Sequence, residues 1–137
     1  VYSCYYILTM TANTETYMQY SYARICSICE KADIDRDSLR ESAPPVQLET
    51  PQERALGAAL LRLGEALGRV VEDYRPNHLT AYLFDLASKY SDFFENCPVL
   101  KAKTSELRAS RLALCDLTAR TIKLGLALLG IEVVERM

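Results

Sequence analysis

Hydrophobic residues recur along most of this chain at alternating spacings of three and four, which is typical of helices that bury one face. The first such stripe consists of Met18, Tyr22, Ile25, Cys29 and Ala32. Asn13 or Thr14 can cap the free N–H groups at a helix start, so the pattern predicts a first helix from there to about Lys31.

A second helix is predicted after a polar segment. Residues 33–49 mix charges with a pair of prolines, which indicates a surface crossing with at most a short helical turn near 38–41. Thr50, Pro51 and Glu53 then combine a capping hydroxyl, a proline at the first helical position and a carboxylate that can bond back. The stripe of this helix is Leu56, Leu60, Leu63, Leu67 and Val70.

Two further stripes complete the pattern. The third helix lies between Pro76 and Pro98, and the fourth begins near Thr104 or Ser105 and stops at Gly130. Their stripes are Leu79, Leu83, Leu86, Tyr90 and Phe93, and then Leu112, Cys115, Ala119, Ile122, Leu126 and Leu129. Strand-favouring residues occur only within 2–10, where a lone strand has no partner. The sequence therefore predicts an all-α, antiparallel-type bundle of four main helices with a short C-terminal tail.

Composition narrows the class of protein. Half of the 137 residues are hydrophobic, so one domain with a real core is expected. The net charge is −2, so any affinity for RNA must come from a local patch of positive charge. Neither a membrane-spanning run nor a signal peptide is evident, which predicts a cytoplasmic protein without a membrane partner. The C-x-x-C pair, Cys26 and Cys29, lacks a second pair, and His78 lies far off in sequence. No metal site and no catalytic residue is therefore expected.

A different line on the first helix carries candidate chemistry. Tyr17, Tyr20 and Arg24 follow a three-then-four spacing centred roughly 120° from the hydrophobic stripe. Tyrosine rings beside a planar guanidinium can stack on unpaired bases and hold phosphate, which favours single-stranded nucleic acid as a ligand. The alternative is that these tyrosines pad a second interface inside the bundle.

Several segments carry a resemblance to a known family. They read NT at 13–14, YMQYSYAR at 17–24, AYLFDLA at 81–87, FFENCPVL at 93–100, RASRL at 108–112, LGL at 124–126, LLGIE at 128–132 and ERM at 135–137. Together they resemble the C-terminal, DALR-type anticodon-binding domain of arginyl-tRNA synthetases, which are class I aminoacyl-tRNA synthetases. Phe94 stands where the family often has tyrosine, and Ala12 stands where glycine is usual.

The resemblance implies a function and a site. A helical domain at 13–137 would grip the anticodon stem-loop of arginine-accepting tRNA, and 1–12 would be the remnant of a connection to an absent catalytic domain. In the family, the positions matching Tyr17, Tyr20 and Arg24 line the anticodon pocket, Phe94 contributes from the third helix and Met137 closes it. ATP and arginine belong to the absent domain. Because no HIGH-like or KMSKS-like sequence occurs here, this chain is expected to be inactive alone, with no cofactor and no DNA partner.

Two questions stay open at this point. A helical protein-interaction domain is the alternative function, in which the tyrosine face docks against another protein or against the missing catalytic domain. The basic residues of the fourth helix either hold the RNA stem or pair with acids inside the bundle. These are Arg108, Arg111, Arg120 and Lys123.

Overall fold

The computed structural model describes the backbone of residues 4–137 and the side chains from residue 14 onward. In that part of the chain there are six helices and no strand, which confirms the all-α prediction. The helices are α1 (Cys4–Lys31), α2 (Arg36–Ser42), α3 (Pro51–Leu61), α4 (Leu63–Asp73), α5 (Asn77–Asn96) and α6 (Ser105–Leu128). None of the described helices is long and apolar enough to cross a membrane.

The core lies where α5 and α6 meet their neighbours. α1 packs on both α5 and α6, while α3 and α4 cover the opposite side of α5. The hydrophobic stripes predicted for α1 and α5 are buried along their whole length, and that of α6 is buried from Leu112 to Leu126. The hydrophobic stripes of these helices therefore pack against one another, as the spacing of their residues predicts.

The predicted start of the first helix, at Asn13 or Thr14, is wrong. α1 already begins at Cys4 and runs without a break to Lys31. Residues 4–12 contain neither glycine nor proline, and each residue added to a helix gains a backbone hydrogen bond, whereas a lone strand gains none. α1 therefore crosses the boundary between residues 12 and 13, whose role as a domain limit stays a prediction.

The predicted second helix is two helices. Arg62 interrupts it, with φ −90° and ψ 5°, and its N–H donates to the Ala59 carbonyl at 3.1 Å. No proline marks this bend, although Gly64 lowers the helix propensity beside it. Because α3 and α4 both pack on α5, tertiary contact decides the change of direction.

The predicted capping box at the start of α3 is confirmed. Thr50 Oγ1 accepts a hydrogen bond from the Glu53 N–H at 3.2 Å, and Glu53 Oε2 accepts one from the Thr50 N–H at 3.3 Å. Glu53 is also fully buried, and its other oxygen accepts a hydrogen bond from Arg111 Nε at 2.8 Å. Arg111 Nη1 donates in turn to the Pro98 carbonyl at 2.7 Å. This buried ion pair ties α3 and α6 to the loop that follows α5, so Arg111 is not available to RNA.

The C-terminal tail turns back along α1. Gly130 adopts φ +76°, and the Ile131 N–H donates to the Leu126 carbonyl at 2.9 Å, so the predicted stop after α6 is confirmed. Gln19 Nε2 donates to the Glu132 carbonyl at 2.9 Å, and an ion pair joins Glu30 to the tail at 3.5 Å. These contacts lay the tail along the C-terminal half of α1, with Arg136 beside the end of that helix.

Candidate nucleic-acid interface

An open cleft of about 520 Å³ lies between α1, the end of α5 and the C-terminal tail. Tyr20 and Arg24 line it from α1, Phe94 from α5 and Met137 from the tail. We call this the aromatic cleft. It unites four of the five residues predicted for the site, although Arg24 and Phe94 lie 70 positions apart in sequence and Met137 is the last residue of the chain.

Arg24 is held over the ring of Phe94. Its guanidinium carbon lies 4.0 Å from the ring centroid, a cation–π geometry. Phe94 in turn stacks on Tyr90, with centroids 6.3 Å apart and an interplanar angle of 29°. Tyr90 is fully buried, and burial raises its pKa far above the ordinary value, so its ring is a neutral and immobile support. The guanidinium therefore sits on a rigid base.

The polar groups at the opening of this cleft include the Arg24 guanidinium and the Tyr20 hydroxyl. Among the side chains of residues 14–137, the Arg24 guanidinium makes neither an ion pair nor a hydrogen bond, and the Tyr20 hydroxyl has no partner. Tyr20 is 51% exposed and Met137 is 63% exposed. The opening is thus lined by the planar guanidinium of Arg24, the exposed ring of Tyr20 and the flexible thioether of Met137. Each of these groups can contact the face or edge of an unpaired base.

Tyr17 lies outside the aromatic cleft. Its hydroxyl is 3.2 Å from Ser91 Oγ, and its ring centroid is 5.4 Å from that of Phe84, with the planes inclined at 45°. A step of three residues rotates a side chain by about 60° from the line of Tyr20, which turns Tyr17 towards α5. Tyr17 therefore packs in the interface between α1 and α5, as the alternative interpretation of the two tyrosines predicted, whereas Tyr20 faces solvent. A direct role of Tyr17 in binding RNA stays a prediction.

Sequence reasoning missed several residues of the aromatic cleft. Ser27 and Lys31 line it and continue the Tyr20–Arg24 line at spacings of three and four, so the helical period alone would have included them. Glu30 and the tail residues Glu135 and Arg136 also line the cleft. The tail residues lack any such periodic signal, because only the path of the tail brings them to α1.

Comparison with known proteins bears on this site. Residues 18–137 match the model of the DALR anticodon binding domain. Over 131 residues, or 96% of this chain, the sequence is 50% identical to an arginine–tRNA ligase of Rippkaea orientalis and 45% identical to one of Proteus mirabilis. The chain spans only 22% of the length of either protein. An arginyl-tRNA synthetase structure from Thermus thermophilus superposes with a TM-score of 0.77 at 37% identity, covering 89% of this chain and 21% of that one.

Proposed function

Because this chain belongs to the DALR anticodon-binding domain family, we propose that its aromatic cleft binds the anticodon loop of arginine-accepting tRNA. The observation that carries the proposal is the unpaired Arg24 guanidinium, stacked on Phe94 beside the exposed ring of Tyr20. An anticodon loop offers single-stranded bases that can leave the stack and lie on such surfaces.

The geometry suits bases rather than a duplex. A volume of about 520 Å³ lies within the ~300–1,000 Å³ of typical ligand pockets, enough for extruded bases but not for a helix. Each base stacked on an aromatic ring contributes about 1–3 kcal/mol regardless of its identity. Selection among bases needs hydrogen bonds to their edges, and the unpaired N–H groups of Arg24 are well placed to donate them.

The larger activity is part of the proposal. The matched relatives carry the name arginine–tRNA ligase, and this chain corresponds to about a fifth of their length. We therefore assign the chain to a cytoplasmic enzyme of that kind, in which a separate catalytic domain joins arginine to tRNA at the expense of ATP. The present chain supplies tRNA recognition and needs no cofactor of its own.

The test is a titration of this chain with a fluorescent hairpin that carries an arginine anticodon loop, at low salt, against a hairpin with the same stem and a scrambled loop. We expect the first to bind more tightly. Tyr20→Ala should weaken that binding by about 1–3 kcal/mol, or roughly 5- to 150-fold, through loss of a stacking ring. Arg24→Ala should reduce the preference between the two loops.

Matched controls come from the far end of the bundle. Tyr74 is 90% exposed and precedes α5, whose length puts it ~25 Å from Phe94. Tyr74→Ala and Arg75→Ala should leave both affinities unchanged. Equal binding of the two hairpins by the parent chain would contradict specific recognition, and equal losses in the Tyr20→Ala and Tyr74→Ala variants would exclude the aromatic cleft as the site.

A helical protein-interaction domain remains the second candidate function, and one surface favours it. Leu117, Leu124 and Leu128 form an exposed apolar stripe along α6, away from the aromatic cleft. Large exposed apolar surfaces often contact another protein, here the remainder of the enzyme. Leu124→Glu should weaken association with that remainder, supplied as a separate chain, and should leave hairpin binding intact. Unchanged association would remove this candidate.

A further inference from the structure

The outward face of α4 carries a line of exposed apolar residues. Val71 is 70% exposed, and Leu61, which stands just before the bend at Arg62, is 87% exposed. Between them lie Gly64 and Gly68, where an added Cβ atom would meet no described atom within 4 Å. The four residues follow one another at spacings of three, four and three, which keeps them on one side of a helix. We call this line the α4 stripe.

The shape of the α4 stripe suits a second helix. Glycine is a poor helix former, yet two glycines occupy this 11-residue helix, and neither makes room for a neighbour within the described part of the chain. A helix face without side chains lets another helix approach to the short end of the usual ~8–10 Å between axes. A large apolar residue at each end of the stripe would then lie against the flank of that helix.

A row of alternating charges runs beside the α4 stripe, about 100° further round the helix. Arg62, Glu65, Arg69 and Glu72 form it, and all four are exposed. Glu65 accepts hydrogen bonds from Arg62 Nε at 3.3 Å and from Arg69 Nη2 at 2.7 Å, whereas Glu72 has no ion pair among the described residues. Exposed pairs of this kind are weak, so their side chains can exchange partners at low cost.

The order of these charges is self-complementary. In an antiparallel pair of α4 helices, the two large residues of the stripe lie opposite each other, and so do the two glycines. Arg62 of one copy then lies beside Glu72 of the other, and Glu65 beside Arg69, each within ~3 Å along the helix axis. A parallel pair would place like charges together. Charge therefore favours the antiparallel pair, which a two-fold axis relates and which closes as a dimer.

We propose that the α4 stripe binds the α4 stripe of a second copy of this chain in a weak, antiparallel dimer. The inference is independent of the proposed function, because no residue of α4 lines the aromatic cleft. The helix is only ~16 Å long, which is too short to bury the ~1,200–2,000 Å² of a stable interface. Association is therefore expected at ~0.1–1 mM protein.

The test is sedimentation equilibrium at low salt, from ~0.01 to ~1 mM protein, on the parent chain and on the variants Arg62→Glu and Glu72→Arg. Each reversal places like charges together at two symmetric contacts and should weaken association by roughly 5- to 30-fold. An equal mixture of the two variants regains opposite charges at both contacts, so it should associate about as tightly as the parent. Both positions are exposed, and thermal melting checks that the fold persists.

Glu41→Arg is the matched control, because it reverses an exposed charge on α2, which packs on α6. It should leave association unchanged. A parent chain that stays monomeric at ~1 mM overturns the proposal, and so does a mixture of the two variants that associates no better than either alone. If Leu124→Glu abolishes association while both reversals leave it intact, the exposed stripe of α6 is the contact, which also overturns the proposal.

The apolar part of the contact is tested at high salt, where exposed charges are screened. Val71→Ser should weaken the association that remains under those conditions. Val46→Ser changes another exposed valine, in the segment before α3, and should have no effect. Equal losses in the two serine variants exclude the α4 stripe as the contact.

Discussion

Replacing Gly125 by alanine should destabilise the fold, even though alanine is the better helix former. Gly125 lies in α6, where that helix crosses α5. A Cβ atom added there would lie 2.6 and 2.7 Å from the two Cδ atoms of Leu83 and 3.0 Å from its Cγ. Carbon atoms prefer separations of about 3.5–4.0 Å, so the leucine or the helix pair must move.

The magnitude follows from two opposing effects. Alanine gains about 1 kcal/mol over glycine in a helix interior. Leu83 is completely buried, so its side chain has no solvent to move into, and overpacking of a well-packed core costs about 1–3 kcal/mol. Subtracting the gain from the cost, we expect Gly125→Ala to lower the free energy of unfolding by up to ~2 kcal/mol and the melting temperature by up to roughly 8 °C.

Two comparisons make the assay decisive. Gly68 lies in α4 with no atom near the position of an added Cβ, so Gly68→Ala should stabilise the chain by about 0.5–1 kcal/mol in urea titration. In a Leu83→Ala background the clash disappears, and Gly125→Ala should then be stabilising. If Gly125→Ala stabilises the parent chain as much as Gly68→Ala does, the predicted clash between α5 and α6 is refuted.

Three further outcomes are expected. Arg111→Ala leaves the fully buried Glu53 carboxylate without its partner and should cost about 3–5 kcal/mol in urea unfolding, whereas a loss below 1 kcal/mol would contradict the buried ion pair. Burial raises the pKa of Cys115 from 9.0 to about 12, so above pH 9 the unfolded chain loses a proton that the folded chain keeps, and stability should fall by ~1.4 kcal/mol per pH unit up to about pH 12. Cys115→Ala should make that alkaline slope shallower, and an identical slope would assign it to other groups. Gln19→Ala removes the hydrogen bond to the Glu132 carbonyl and should weaken hairpin binding several-fold without lowering the melting temperature, whereas Gln52→Ala in α3 should change neither.

Local patterns predicted most of the helices well. The hydrophobic stripes of α1 and α5 are buried as predicted, the capping box opens α3, and Gly130 ends α6 with a positive φ. The start of α1 and the break at Arg62 were not predicted, because no proline stands at either position and a single glycine such as Gly64 is tolerated inside helices. Helix ends that are set by packing leave no mark of that kind in the sequence.

For the aromatic cleft, too, some features follow from the sequence pattern and others from the tertiary structure alone. Helical periodicity by itself determined that Tyr20 and Arg24 stand away from the seam of α1, because rotation along a helix depends only on residue spacing. Only the tertiary structure decided that Phe94 supports Arg24, that Tyr17 turns to Ser91 instead, and that the tail brings Met137 to the cleft. These contacts join residues far apart in sequence, and they depend on how helices cross and where the tail docks, which no local repeat specifies.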